Sequence, residues 1–389
     1  MKLTIWREGD HAWFDWSGTD PQAVGPINFY LSEGMFKMFI GVYLIMVNDP
    51  QILFNDGFYP LLHVVMPEGC LLNPRYPAAL GCRTHALTRL FDVLGGALTK
   101  LAPELNTAAG YGTSPYMLYS GWGEDGRFFY AMEILYGGIP GRPIGDGMDG
   151  HSWWPLFENI PTEYLEAYYP LRIDGYTTVT DSGGAGLHRG GNGVEKRYVY
   201  LEPGQVSIHD DRWLTRPWGV LGGEPGERSS KLLRRADGTE QVLPAKCDEV
   251  EVAPGDMLVY RTAGGGGWKD RLDRPVEAVA RDVAYGLVSR EKARSGYGVV
   301  LDDDGAVDAA ATEAERAAQR DARGPAAAFD FGPELDATLT ACEAETGLPA
   351  PRRPAPLRWS PLEDAGAARD RVRRAWEAEV AARDGHAGT

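Results

Sequence analysis

The densest run of chemistry-bearing residues lies between Gly137 and Glu166. Gly145-Asp146-Gly147-Met148-Asp149-Gly150-His151 sets two carboxylates and an imidazole among glycines, which let backbone and side chains approach one point. An imidazole is the side chain that changes charge near neutral pH, so it can move a proton or bind a metal. Asn159-Ile160-Pro161-Thr162-Glu163 follows, then Glu166. Glu163 and Glu166 are three residues apart and share a helical face, so together they could orient a water or an ion. The alternative is an acidic helix start after Pro161. His151, Glu163, Glu166 and Arg212, from His209-Asp210-Asp211-Arg212, form the candidate catalytic set. Arg212 either clamps an anion or pairs with Asp210.

Other polar clusters could line a site. Asp15-Trp16-Ser17-Gly18-Thr19-Asp20, followed by Gly25-Pro26-Ile27-Asn28, leaves an alternating strand, Leu3 to Phe14, as a tight polar loop. Ser17, Thr19 and Asn28 either bind a ligand there or bond their own turn backbone. Arg83, in a helix with His85 and Arg89, either clamps a carboxylate or phosphate or pairs with Asp92. Asp181-Ser182-Gly183-Gly184-Ala185-Gly186-Leu187-His188-Arg189-Gly190-Gly191 exposes backbone N–H groups like a phosphate-cradling loop. It lacks the GK[ST] ending of a P-loop, and a turn holding two sheets together is the preferred reading. Gly264 to Gly267 follows a strand, so Gly265 and Gly266 could line a narrow passage with main chain. HExxH, GxSxG, a Walker lysine and a dinucleotide fingerprint are all absent.

These loops need a rigid frame. The 49 glycines concentrate before about residue 300, with short apolar runs such as Tyr198 to Leu201 and Met257 to Tyr260 between clusters. Apolar residues at three-to-four spacing predict helices over Phe29 to Met46, Pro77 to Lys100 and Pro275 to Tyr285. The fold class expected is α+β: a β-rich mixed body over residues 1–301 with a few packed helices. Beyond Leu301 the composition turns to Ala, Asp, Glu and Arg. Residues 302–389 read as an extension with helices over Ala309 to Arg323 and Ala365 to Ala382 and a Pro-rich linker between.

The chain has 389 residues, 43% of them hydrophobic, ample for a large core. With 39 Lys and Arg against 55 Asp and Glu its net charge is -16, which disfavours a nucleic-acid partner. No run reaches the roughly 18 apolar residues of a membrane span, and no signal peptide opens the chain. The four cysteines form no CxxC pair and read as buried thiols of a cytoplasmic protein.

Taken in order, these strings resemble the B-type chain of the hydantoinase/oxoprolinase family. The resemblance is carried by Asp15 to Gln22, Pro67-Glu68-Gly69 with Leu72-Asn73-Pro74, Asp146 to Gly150, Asn159 to Glu163, and Asp181 to Gly186 with Arg189-Gly190-Gly191. It continues through Pro217-Trp218-Gly219 with Gly222-Gly223, Gly264 to Gly267, and Asp282-Val283 to Val299. The family includes ATP-dependent N-methylhydantoinases, 5-oxoprolinases and biotin-independent acetone and acetophenone carboxylases. Trp268-Lys269-Asp270 departs from its pattern of a further glycine and a proline. The family's B-type chains usually begin well upstream, with a His- and Asp-containing region that in the carboxylases is associated with a metal.

The resemblance therefore implies two partners: a hydantoinase A-type ATPase subunit and a chain supplying that N-terminal B region. ATP and Mg2+ would be bound by the ATPase, and any divalent transition metal or zinc would belong to the complex, on a partner chain. The ATPase phosphorylates a carbonyl oxygen, and the B side adds water to a cyclic amide or joins a ketone-derived carbon to a carboxyl donor. Three readings follow: a subunit of a cyclic-amide hydrolase acting on a small carbonyl substrate, of a ketone carboxylase, or a non-catalytic scaffold. In the first two, His151 and Glu163 would transfer protons or position water, Arg212 would hold an anion, and Asp146, Asp149 and the glycine loops would build the chamber wall.

Overall fold

An N-terminal hairpin opens the chain where the alternating pattern suggested a single strand from Leu3 to Phe14. Strands β1 (Thr4–Glu8) and β2 (His11–Asp15) pair antiparallel around Gly9-Asp10, and Gly9 takes the left-handed φ of +62° that the turn requires. The structure is a computed structural model that describes residues 1–47, 51–53, 55–152, 158–324, 332–350 and 355–386. It divides into two compact units, Met1–Leu101 with Arg352–Thr389, and Ala102–Pro351. The Ala-rich residues after 301 therefore contribute to both.

In the first unit, β3 (Leu62–Val65) adds parallel to β2. Helix α1 (Glu33–Val47) buries Phe36, Phe39, Ile40, Tyr43 and Val47 at three-to-four spacing, and α2 (Arg83–Leu101) buries Leu87, Leu90, Phe91 and Leu94. The last helix, α8 (Ala365–His386), packs Ala368, Val372 and Trp376 against Trp13 and Val65. His63 is buried there, 2.9 Å from His11, and burial pushes its imidazole down to about 4.

The second unit is a sandwich. Nine strands run in sequence: β4 (Tyr116–Trp122), β5 (Phe128–Ile134), β6 (Leu171–Thr178), β7 (Val194–Tyr200), β8 (Gly204–His209), β9 (Ser230–Arg234), β10 (Glu240–Val242), β11 (Lys246–Val252) and β12 (Met257–Arg261). One sheet orders them β10-β9-β12-β7-β6 and the other β11-β8-β4-β5. Met117, Tyr119, Val206 and Ile208 of one sheet meet Tyr198, Tyr200, Leu258 and Tyr260 of the other in a single core. Inside it Lys196 Nζ lies 2.6 Å from Glu133 Oε1, and the Tyr198 hydroxyl donates to the other oxygen of the same carboxylate. Neither charge reaches solvent, which the pairing makes tolerable.

Helices flank the sandwich: α3 (Thr162–Tyr168), α4 (Val276–Ala284), α5 (Arg290–Tyr297), α6 (Ala309–Arg323) and α7 (Leu335–Thr346). The Ser289 hydroxyl caps α5 by accepting from Lys292 N at 3.0 Å, and the Asp308 carboxylate caps α6 by accepting from Ala311 N at 2.9 Å. Helix α7 occupies part of the stretch read from composition as a linker. Among the described residues no helix is long and apolar enough to cross a membrane.

Candidate functional site

Beyond the sheet ends of the second unit, glycine-rich segments from across its sequence lie side by side and hydrogen-bond through their main chains. The tetraglycine run is at the centre. Gly184 N donates to Gly265 O, Gly265 N to Gly191 O, Gly141 N to Gly266 O and Gly266 N to Ala109 O, each at 2.8 Å. Side chains are excluded by contact: a Cβ on Gly138, Gly147, Gly190, Gly191 or Gly264 would lie within 2 Å of a neighbouring carbonyl oxygen. Most N–H groups of the Asp181 to Gly191 loop are thus spent within the bundle, with Gly183 N given to Asn192 Oδ1 at 2.8 Å and Gly190 N to Gly184 O at 2.9 Å. Likewise Gly265 and Gly266 bond neighbouring segments with both their N–H and their carbonyl groups.

A lattice of charges clamps one side of this bundle. Arg274, just before α4, grips Asp146 with two bonds of 2.6 and 2.7 Å and reaches Asp282 of α4 at 2.7 Å. Arg189 grips Asp149 with two bonds of 2.7 and 2.9 Å. The same carboxylates bond main chain, Asp146 accepting from Arg189 N at 3.0 Å and Asp149 from Asn192 N at 2.7 Å. Burial alone would raise the Asp146 carboxyl, but the bonds from Arg274 and His188 outweigh it and hold that carboxyl well below the usual carboxylate range. Burial likewise opposes the charge on Arg274, and its carboxylate partners more than restore it. Fork-to-fork pairs of this kind fix orientation as well as charge, so Asp146 and Asp149 hold the 145–150 loop against 187–192.

His151 leaves this clamped loop through His151 N, which donates to Gly137 O at 3.0 Å. Its Nδ1 lies 2.7 Å from Ser152 O. A carbonyl only accepts, so Nδ1 carries the proton and the neutral ring keeps its lone pair on Nε2. The side chain is exposed, so that nitrogen is available to a reactant. Glu163 is exposed on the first turn of α3, whereas Glu166 accepts from Ile173 N at 2.7 Å and ties α3 to β6. Among the described residues no hydrogen bond or ion pair joins His151 to either glutamate.

Arg212 is buried at a φ of +63°, and its Nη1 donates to Arg216 O at 3.2 Å. Its neighbour Asp210 pairs with Lys231 instead. Asp181 accepts from Ser289 N at 2.7 Å and so anchors the start of α5. The other candidates belong to the first unit. Thr19 Oγ1 bonds both the N and the O of Lys2, Ser17 N donates to Asp15 Oδ1 at 2.8 Å, and the Asn28 side chain bonds Ala23, Gly25 and Ala79 main chain. Arg83 is exposed, and Asp92 pairs with Arg89 at 3.1 Å.

Residues 1–271 match the family described as hydantoinase B/oxoprolinase. The chain belongs to that family. A protein described as the B-type subunit of a D-/L-hydantoinase, from Pseudomonas sp. strain NS671, is 30% identical over 321 residues, which is 79% of this chain and 53% of that one. The beta chain of the Pseudomonas jessenii caprolactamase is 31% identical over 315 residues, 77% of this chain and 53% of its own. The chain thus spans about half the length of these relatives. The crystal structure of the ATP-dependent caprolactamase from Pseudomonas jessenii superposes with a TM-score of 0.67 at 29% identity, over 81% of this chain and 56% of that one. A nucleotide-free acetone carboxylase structure shares the fold, with a TM-score of 0.68 at 23% identity over 82% of this chain and 48% of its own.

For this hydantoinase B-type chain, sequence reasoning picked Asp146 and Asp149 but missed Arg274 and Asp282, which complete the lattice. Arg274-Pro275 is visible as a helix entry, yet a partner 128 residues away leaves no local trace. Among the described residues no three His, Cys, Asp or Glu side chains gather as metal ligands.

Proposed function

We propose that this chain is the B-type subunit of a multi-subunit, ATP-dependent enzyme that opens a cyclic amide of the hydantoin, lactam or 5-oxoproline kind. The observation that carries the proposal is the pair of relatives at 30 and 31% identity named for hydantoinase and caprolactamase, in a family also named for oxoprolinase. Hydantoin, caprolactam and 5-oxoproline share one reacting unit, a carbonyl bonded to nitrogen within a ring. The caprolactamase of matching fold is ATP-dependent.

An amide carbon resists water because nitrogen feeds electrons into the carbonyl. Phosphorylation of the carbonyl oxygen by an ATPase partner removes that resistance. Water then adds to the carbon as His151 Nε2 takes its proton. The ring C–N bond breaks as the nitrogen receives a proton from the His151 imidazolium and the added hydroxyl gives its own to the freed Nε2, leaving an acyl phosphate that a second water hydrolyses to carboxylate and phosphate. The Nδ1 bond to Ser152 O holds the ring in the tautomer this requires. The clamp of Arg189 and Arg274 on Asp149 and Asp146 keeps the loop carrying His151 in place. Glu163, exposed on α3, is assigned to water positioning.

The test is to purify the complex from its native host and assay ATP-dependent opening of hydantoin, 5-oxoproline and caprolactam, with labelled bicarbonate and a ketone in a parallel arm. Ring opening that needs ATP supports the proposal. Label fixed into the ketone without ring opening overturns it in favour of carboxylation. His151→Gln should lower kcat by about 100-fold or more with KM little changed. Unchanged turnover in that variant would remove His151 from the mechanism.

A further inference from the structure

A cavity of about 800 Å³ lies between the 214–228 loop and α7, within the second unit. That is room for a small organic molecule of ordinary size. One wall is main chain, because Gly219 and Gly223 are pressed against carbonyl oxygens of the glycine bundle and can carry no side chain. Beside it stands the Trp218 indole. The opposite wall is a single face of α7, with Leu335, Thr338, Ala341 and Glu345 at spacings of three and four. The helix is anchored by Cys342, buried against Trp213 and Ala245. Leu335 is 58% exposed, an apolar side chain left uncovered at the opening.

Charge gives the occupant its sign. Arg216 and Arg228 of the 214–228 loop, Arg271, and Arg323 at the end of α6 reach this lining, against one carboxylate, Glu345. In a chain of net charge -16 such a concentration of guanidinium groups stands out. Each arginine has an acidic neighbour: Glu227, Glu345, Glu224 and Asp270 respectively. Three of those four carboxylates stand outside the lining, and a guanidinium has five N–H donors of which one carboxylate engages two at most, so Arg216, Arg228 and Arg323 keep donors for a ligand, whereas Arg271 also gives Nη1 to Ser295 O, Gly296 O and Gln319 Oε1. Arg323 Nε is buried with no hydrogen-bond partner among the described residues. Arg323 and the whole α7 wall lie beyond the part of the chain that matches the family.

We propose that this cavity binds an anionic amphiphile, a small molecule with an apolar body against Trp218, Leu335 and Ala341 and one carboxylate, sulfonate or phosphate held by the arginines. The site does not depend on the reaction proposed above, and its test needs no turnover.

The full chain is titrated with anilinonaphthalene sulfonate, an aromatic anion whose fluorescence rises in apolar surroundings, and with uncharged N-phenylnaphthylamine. The wild-type chain should bind the anion at one saturable site. Ala341→Trp, which fills the cavity, and Leu335→Asp, an exposed change that adds a negative charge, should each weaken it by about tenfold or more. Arg323→Gln should weaken the anion by about tenfold and the uncharged analogue by less than about twofold. No saturable binding to the wild-type chain overturns the proposal. So does binding that survives both Leu335→Asp and Ala341→Trp, or an equal loss of charged and uncharged probes in Arg323→Gln. Leu335→Asp keeps the test decisive if Ala341→Trp does not fold.

Discussion

Replacing Gly264 by alanine puts one methyl group where the bundle has no room. The added Cβ would lie 1.8 Å from Ser182 O, and a tolerable contact is about 3 Å, so the two main chains must part by roughly 1 Å. Neither atom belongs to a flexible side chain that could swing away. Ser182 O accepts from Glu227 N at 2.8 Å, Glu227 O accepts from Gly264 N at 3.1 Å, and Gly265 O accepts from Gly184 N at 2.8 Å. Parting the chains stretches all three. With roughly 1–3 kcal/mol for each buried group left unsatisfied, the expected loss is about 4 kcal/mol or more. For a unit of this size that lowers Tm by about 8–16 °C. Gly126→Ala is the control: it lies in the β4–β5 turn at a φ of +74° with open space around it, and costs only the left-handed backbone, about 1–2 kcal/mol. Both variants are melted by circular dichroism. If Gly264→Ala unfolds no earlier than Gly126→Ala, the close-packed bundle is not what holds this region together.

Three further outcomes are expected. Glu133→Gln should destabilise by about 3–5 kcal/mol in urea, because it strands the buried Lys196 charge, and pairing Glu133→Leu with Lys196→Met should recover most of that loss. The Asp146 carboxyl is held down in the fold, so its contribution is complete above the unfolded value of about 4 and fades as pH falls below it; urea midpoints from pH 5 to 2 should decline less steeply in Asp146→Asn than in wild type. His63 titrates at about 4 in the fold, below the ordinary 6.5 of an imidazole, so the first unit should lose on the order of 2 kcal/mol as pH drops from 6.5 towards 4, and His63→Phe should abolish that slope in fluorescence-monitored unfolding.

The helices were the most legible part of the sequence. Ala309 to Arg323 coincides with α6, and Pro275 to Tyr285, Phe29 to Met46 and Pro77 to Lys100 overlap α4, α1 and α2. Their signal is local: apolar spacing and capping lie within one stretch of chain. Helix α7 escaped because its surroundings are rich in proline and its burial rests on one small residue, Cys342. The family was legible as well, since its glycine strings mark positions where a side chain would collide. The charge lattice was only half legible. Asp146 and Asp149 sit in a conspicuous loop, but Arg274 and Asp282 meet them only once the sheets are assembled. Thr19 and Asn28 illustrate the reverse, short polar side chains whose bonds go to main chain.

The glycine bundle also sets an order of events during synthesis. Its strands come from positions as far apart as Ala108 and Trp268, and the tetraglycine run that most of them bond to is almost the last to be made. Until Gly264 to Gly267 leaves the ribosome, the earlier loops have only one another to close upon, and glycine gives them little preference of their own. A nascent chain halted before that point would hold the loop of Asp146 and His151 through its bonds to Gly137 and the 187–192 segment, without the central run or the grip of Arg274, so the clamp is completed late.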